Sequence, residues 1–195
     1  MVMAHGAGAG MRHSFLSEVS AALTERGVAS LRYQFPYMER AGRRPDPPAL
    51  CHATVRAAVS AARDVEPALP LIAGGKSFGG RMTSQAQALD PLPGVRGLAF
   101  LGFPLHPPKK PSLARADHLS KVSVPMLFLQ GTRDDLADAG LIRQAVERLG
   151  SRAGIQAIEG ADHAFHVPAR SGRTDADALR EIADALAAWI DAVLR

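Results

Sequence analysis

Leu71-Ile72-Ala73-Gly74-Gly75-Lys76-Ser77-Phe78-Gly79-Gly80 sets a serine between glycines, directly behind a short apolar run and directly ahead of a segment of helical period. Leu69 to Ala73 reads as a short buried strand, and the helix expected after it opens at Gly79 and ends near Leu89, where Asp90-Pro91-Leu92-Pro93-Gly94 forces a turn. Strand, tight turn and helix around G-x-S-x-G form the nucleophile-elbow pattern. Its logic is steric: the serine sits on a strained turn that only small flanking residues permit, and a side chain at Gly75 or Gly79 would collide with a neighbouring element. The helix that follows aims its first amides at the same place, where they stabilise negative charge developing on a bound carbonyl oxygen. Gly75-Lys76-Ser77 also resembles the end of a phosphate loop, but that motif needs glycine at position 70, where the chain has Pro70.

Outward from the elbow, short apolar runs alternate with segments of helical period along the chain. Val2 to Ala4, Val28 to Tyr33, Val95 to Leu101, Val124 to Gln130 and Gly154 to Ile158 read as further strands. Helices are expected from His13 to a cap at Gly27, over Leu50 to Ala62, around Leu141 to Leu149, and around Leu179 to Val193. This alternation predicts an α/β fold, a doubly wound, mostly parallel sheet of about six strands with helices on both faces. The expected spatial order is second, first, third, fourth, fifth, sixth, with the switch point between the first and third strands. The segment from Gly102 to Ser123 is too short for a lid domain, and residues 1–195 are expected to form a single domain. The Pro- and Arg-rich stretch Gln34 to Pro48 is long for a connection and is expected to overlook the site.

A serine hydroxyl is a poor nucleophile until a histidine takes its proton and a carboxylate orients that histidine. Gln130-Gly131-Thr132-Arg133-Asp134-Asp135 follows the fifth strand and supplies the acid, with Asp134 preferred and Asp135 expected to cap the next helix. Glu159-Gly160-Ala161-Asp162-His163-Ala164-Phe165-His166 follows the sixth strand and supplies the base, His163, with His166 in reserve. The order Ser77, Asp134, His163 is the order this chemistry takes on a strand-end scaffold. His5-Gly6-Ala7-Gly8, behind the first strand, is expected to give the second oxyanion-hole amide, so that Ala7 and Phe78 are the donors. Gly6, Gly8 and Gly10 lack the spacing of a dinucleotide loop, and Cys51-His52 falls in a helical segment with no elbow, so a small buried thiol is expected there.

Composition narrows the class further. Hydrophobic residues make up 47% and charged residues 22% of the chain, the balance of a globular protein. No apolar run approaches the roughly 20 residues of a membrane helix. The net charge is +4, but its Lys and Arg are scattered apart from Arg40, Arg43 and Arg44, which argues against nucleic-acid partners; the partner expected from the serine, aspartate and histidine is a small-molecule acyl substrate. Arg43 or Arg44 with Lys76 could favour an anionic group, although a solvated charge cluster explains those arginines more simply. A single cysteine excludes an internal disulfide, and no signal-like apolar core follows the first residues, so a cytoplasmic protein without cofactor or metal is expected.

These motifs together resemble the small lidless α/β-hydrolases related to dienelactone hydrolases, and within them the family that includes testis-expressed protein 30 and the third subunit of the NSL chromatin complex. The matching stretches are His5 to Gly10, Arg32 to Tyr37, Gly42 to Asp46, Gly74 to Arg81, Gly102 to Pro108, Gln130 to Asp134 and Gly160 to His163. The resemblance implies a carboxylesterase-like serine hydrolase acting on an ester or thioester. With Lys76, it makes His5, Tyr37 and His106 candidate substrate contacts. Dienelactone hydrolases proper carry a cysteine where Ser77 stands, so their substrate does not carry over. The family's fold usually begins with a hairpin of strands ahead of the histidine–glycine loop, which this chain is expected to lack. Membership of a chromatin complex leaves a second reading open, an interaction protein that keeps the fold without turning over substrate.

Overall fold

The computed structural model describes residues 1–195 and shows six parallel strands: β1 (Val2–Ala4), β2 (Leu31–Tyr33), β3 (Leu71–Lys76), β4 (Val95–Leu101), β5 (Met126–Gly131) and β6 (Ala153–Ile158). Their spatial order is β2-β1-β3-β4-β5-β6, as expected from the chain, with the reversal between β1 and β3. The helices are α1 (Ser14–Thr24), α2 (Pro36–Glu39), α3 (Pro48–Val65), α4 (Phe78–Leu89), α5 (Ala139–Leu149) and α6 (Asp175–Leu194). The connection from β4 to β5 holds only a 3-10 helix, Ala114–Lys121, and no lid.

The central strands β1, β3, β4 and β5 are largely buried on both faces, and side-chain alternation divides the core in two. Leu98 and Phe100 of β4 and Met126 and Phe128 of β5 point into one layer, which α3, α4 and α5 cover through Val55, Val59, Met82, Ile142 and Val146. Ala99, Leu101, Leu127 and Leu129 point into the other, covered by α1 and α6 through Leu16, Val19, Leu23, Ile182 and Leu186. Parallel strands flanked on both sides in this way read as near-continuous apolar runs, which is how Leu98 to Leu101 and Met126 to Leu129 stand in the sequence.

Two expectations change for identifiable reasons, one boundary and one placement. The second strand begins at Leu31 rather than Val28, because the chain first closes α1 in a Schellman turn: Gly27, at φ 74°, donates to the Thr24 carbonyl and Val28 donates to that of Leu23. The Gln34–Pro48 stretch holds α2 and folds back on itself, with Asp46 accepting from the Tyr37 amide at 2.8 Å and pairing with Arg40 at 2.6 Å. Arg43 and Arg44 stay exposed, and no residue of this stretch lines the cleft beside Ser77.

Candidate active site

Ser77 stands between β3 and α4 with φ 48° and ψ −115°, a conformation costing of order 1–3 kcal/mol that the flanking packing must hold. A Cβ at Gly75 would lie 2.2 Å from the Ala4 carbonyl oxygen, and one at Gly79 would lie 2.6 Å from both Ala4 Cβ and the His5 carbonyl oxygen. The elbow is therefore pressed against β1 on both sides of the serine, and neither position has room for a side chain. Phe78, as the first residue of α4, has no acceptor within the helix for its amide.

His163 reaches this serine because the loops after β5 and β6 are fastened to one another. Thr132 donates its amide to the Ile158 carbonyl, Arg133 donates to that of Ala161, and Gly160 donates to the Thr132 hydroxyl at 2.9 Å. The approach is so close that a Cβ on Gly131 would lie 2.3 Å from the Ala161 oxygen. Asp162 then winds the β6 loop, its Oδ1 accepting from the amides of Ala164 and His166 at 2.8 and 2.9 Å. The result is a continuous line: Ser77 Oγ lies 2.8 Å from His163 Nε2, and His163 Nδ1 lies 2.7 Å from Asp134 Oδ2.

Asp134 is buried, and every contact it makes requires it to accept. Its Oδ1 takes the Leu136 amide at 2.8 Å and its Oδ2 takes Gln130 Nε2 at 2.5 Å beside the imidazole. Gln130 is held in that orientation because its Oε1 accepts from the Phe103 amide at 2.9 Å. An acceptor-only carboxylate puts the histidine proton on Nδ1 and leaves Nε2 free to accept from the serine. Gln130 was absent from the expected set; its signal was a polar residue at the end of an otherwise apolar strand, which must find partners when buried. Asp135 is exposed, and α5 is capped instead by Asp138, whose Oδ1 accepts from Gly140 and Leu141. His166 is exposed and paired with Asp175 at 2.8 Å, away from Ser77. Cys51 is buried, with its thiol pushed up to about 11 by burial, which leaves it inert.

Three expected substrate contacts are corrected by burial. His5 is fully buried; its Nε2 accepts from the Phe35 amide at 3.1 Å, so its proton is on Nδ1, donated to the Gly6 carbonyl at 2.7 Å. His106 repeats the arrangement, with Nδ1 to the Pro107 carbonyl at 2.9 Å and Nε2 accepting from the Asp138 amide at 2.8 Å. Tyr37 is buried, and its hydroxyl accepts from the Gly8 amide at 3.0 Å. None of the three faces the cleft. His5 and Tyr37 instead hold the Gly6–Gly10 loop, which passes so close to the elbow that a Cβ on Gly6 would stand 3.9 Å from Ser77 Cβ. In that loop Ala7 is exposed and its amide donates to no group of the chain.

The cleft over Ser77 has a volume of about 430 Å³ and is lined by Ala7, Ala9, Phe15, Leu16, Leu136 and Ala164 together with His13, Lys76 and His163. A groove of similar size, about 440 Å³, lies at the opposite ends of the strands against Val28, Leu69 and Leu194, far from the serine–histidine pair. No group of three or more His, Cys, Asp and Glu side chains converges as a metal site, and no helix is long and apolar enough to cross a membrane.

The fold recurs in solved structures of low sequence identity. An alpha-beta serine hydrolase homologue from Coxiella burnetii matches with a TM-score of 0.72 at 17% identity, over 95% of this chain and 82% of its own. A serine hydrolase without lid from Xanthomonas campestris matches with a TM-score of 0.72 at 20% identity, over 96% and 82%. Est1E from Butyrivibrio proteoclasticus matches with a TM-score of 0.74 at 15% identity, over 99% and 87%. These likenesses concern the fold, and membership comes from sequence: the model of the alpha/beta hydrolase domain matches residues 1–191. The chain belongs to the α/β-hydrolase family, on a lidless version of its fold.

Proposed function

We propose that this protein is a carboxylesterase-like serine hydrolase acting on a small-molecule ester or thioester, in which Ser77 is the nucleophile, His163 the general base and acid, and Asp134 the residue that orients His163. The observation that carries this reading is the unbroken hydrogen-bond line from Ser77 through His163 to Asp134, at 2.8 and 2.7 Å. Ser77 Oγ bonds to the substrate carbonyl carbon while His163 Nε2 takes its proton. The oxyanion is held by the amides of Phe78 and Ala7. His163 returns the proton to the leaving alcohol or thiol as the carbon–oxygen or carbon–sulfur bond breaks. Water then gives a proton to His163, its oxygen attacks the acyl carbon, and Ser77 leaves with the proton restored.

The apolar cleft without a lid suits a small or extended acyl group. A cytoplasmic setting and kinship with the dienelactone-hydrolase-like group that includes testis-expressed protein 30 form part of the same proposal, the latter carried by the motifs around His5, Ser77 and His163. A fluorophosphonate probe with intact-mass detection tests it: stoichiometric labelling that disappears in Ser77→Ala is expected. Failure of the folded protein to label, or labelling that survives the substitution, returns the chain to the reading of a non-catalytic interaction protein.

A further inference from the structure

Lys76 occupies the position before the nucleophile, and its side chain is half-buried, with the ammonium turned back against the protein. Its stem runs beneath the Gly6 loop, where a Cβ on Gly6 would meet Lys76 Cγ at 3.5 Å. The ammonium then crosses to the other side of the elbow and donates to the backbone carbonyl of His163 itself. There it lies 5.8 Å from the Phe15 ring centre and 5.0 Å from that of Phe165, two rings stacked on each other at 5.3 Å and 8°. Gly102, at φ 69°, forms the floor: a Cβ there would meet Lys76 Nζ at 2.9 Å and the His163 ring at 3.5 Å. One side chain thus spans the floor of the cleft from the oxyanion loop to the histidine loop.

We infer that Lys76 is the positioning residue for the base: its ammonium clamps the His163 carbonyl and so holds the imidazole at hydrogen-bonding distance from Ser77. The inference rests on the hydrolase reading above. A lysine placed here to bind a substrate anion would leave its ammonium free, whereas this one is committed to a carbonyl and flanked by ring faces, which attract a cation. The clamp needs the charge, since a neutral amine is a weaker donor and loses the attraction of the rings.

The carboxylates acting on the ammonium are Asp134 from the β5 loop and Asp162 from the β6 loop, the His163 carbonyl accepts from it, and Ser77 and His13 line the same cleft. Burial lowers the Lys76 pKa to about 8, against the opposing pull of Asp134 and Asp162. The clamp is therefore charged at neutral pH and released as the pH rises past that value. Folding stability moves the other way. The native state binds fewer protons than the unfolded chain between a pKa of about 8 and the ordinary 10.5, so stability rises with pH in the window where activity falls.

The test is the pH dependence of kcat and KM for p-nitrophenyl acetate, a neutral ester, with fluorophosphonate labelling rates beside it. Wild type is expected to lose kcat on an alkaline limb near pH 8. Lys76→Met should lose that limb and lower plateau kcat by about tenfold to a hundredfold, the cost of displacing a reacting group by an ångström or less, with KM little changed. Lys76→Arg, charged at every accessible pH, should move the limb out of range and recover part of the rate. Wild-type kcat and an unchanged limb in Lys76→Met overturn the inference, as does a loss confined to KM, which would make Lys76 a substrate contact. If Lys76→Met does not fold, the wild-type profile decides, and a flat kcat from pH 7 to 10 overturns it. Wild-type labelling lost in Ser77→Ala upholds the hydrolase reading whichever way Lys76 behaves.

Discussion

Replacing Asp134 by asparagine exchanges one carboxylate oxygen for an NH₂ group of nearly equal size, and the donors around it leave that group no acceptor. Leu136 donates to Oδ1 at 2.8 Å, while His163 and Gln130 donate to Oδ2 at 2.7 and 2.5 Å. Gln130 cannot turn its amide to help, because its Oε1 is held by the Phe103 amide at 2.9 Å. With the new NH₂ toward His163, the imidazole must accept at Nδ1, which moves its proton to Nε2 and aims it at Ser77, so the nitrogen proposed to act as base is already occupied. With the NH₂ toward Leu136, a half-buried backbone donor loses its acceptor, at a cost toward the lower end of about 1–3 kcal/mol, and the neutral oxygen left facing His163 no longer stabilises an imidazolium. Both outcomes remove transition-state stabilisation. In established Ser-His-Asp triads the wrong tautomer lowers kcat by about 10⁴, or about 5.5 kcal/mol in activation free energy. Asp134→Asn is therefore expected to slow both p-nitrophenyl acetate turnover and fluorophosphonate labelling by about a thousandfold to ten-thousandfold. Its melting temperature should fall by roughly 2–4 °C for each kcal/mol lost in a chain of this size. A folded Asp134→Asn retaining wild-type activity within about tenfold would refute the reasoning; the carboxylate that steers His163 would then have to be another, with Asp162 adjacent to it in the chain.

Two further outcomes follow from the structure. Tyr37→Phe removes the acceptor for the Gly8 amide, so the loop carrying Ala7 should loosen; kcat is expected to fall by about tenfold with KM nearly constant, and a change confined to KM would restore Tyr37 as a substrate contact. His118, bonded to Ser84 at 2.8 Å, has its pKa lowered from 6.5 to about 4, first by burial and then by Arg81 and His52. The unfolded chain therefore binds a proton that the native state refuses, and stability is gained as pH rises through that interval. After allowing for its partial exposure, His118→Gln should flatten the urea-unfolding profile over that interval by about 1–2 kcal/mol, and equal slopes in the two proteins would show that His118 does not titrate there.

Much of the architecture is legible in the chain because it depends on neighbours in sequence. Apolar runs such as Leu98-Ala99-Phe100-Leu101, short and bounded by turn signals, read as strands covered on both faces, and they lie in the two core layers as that pattern requires. The glycines around Ser77 announce a turn that tolerates no Cβ, and the backbone at φ 48° follows from them. The order of serine, aspartate and histidine along the chain, each after its own strand, likewise singles out the residues that the structure brings into one hydrogen-bonded line.

What only the tertiary structure decided is the direction in which each polar side chain at a strand end turns, since its partners come from segments remote in sequence. His5, Tyr37 and His106 stand where a substrate contact would be sought, yet each is buried and occupied by a backbone group contributed by another loop. Gln130 could have been any polar strand terminus until Phe103 and Asp134 arrived on its two sides. Lys76 is the plainest case. By itself it is a charged residue beside the elbow serine, and only the meeting of Phe15, Phe165, Gly102 and the His163 carbonyl encloses it. Local sequence sets backbone conformation through short-range sterics, whereas burial and hydrogen-bond pairing are through-space quantities that exist only once the sheet has brought the loops together.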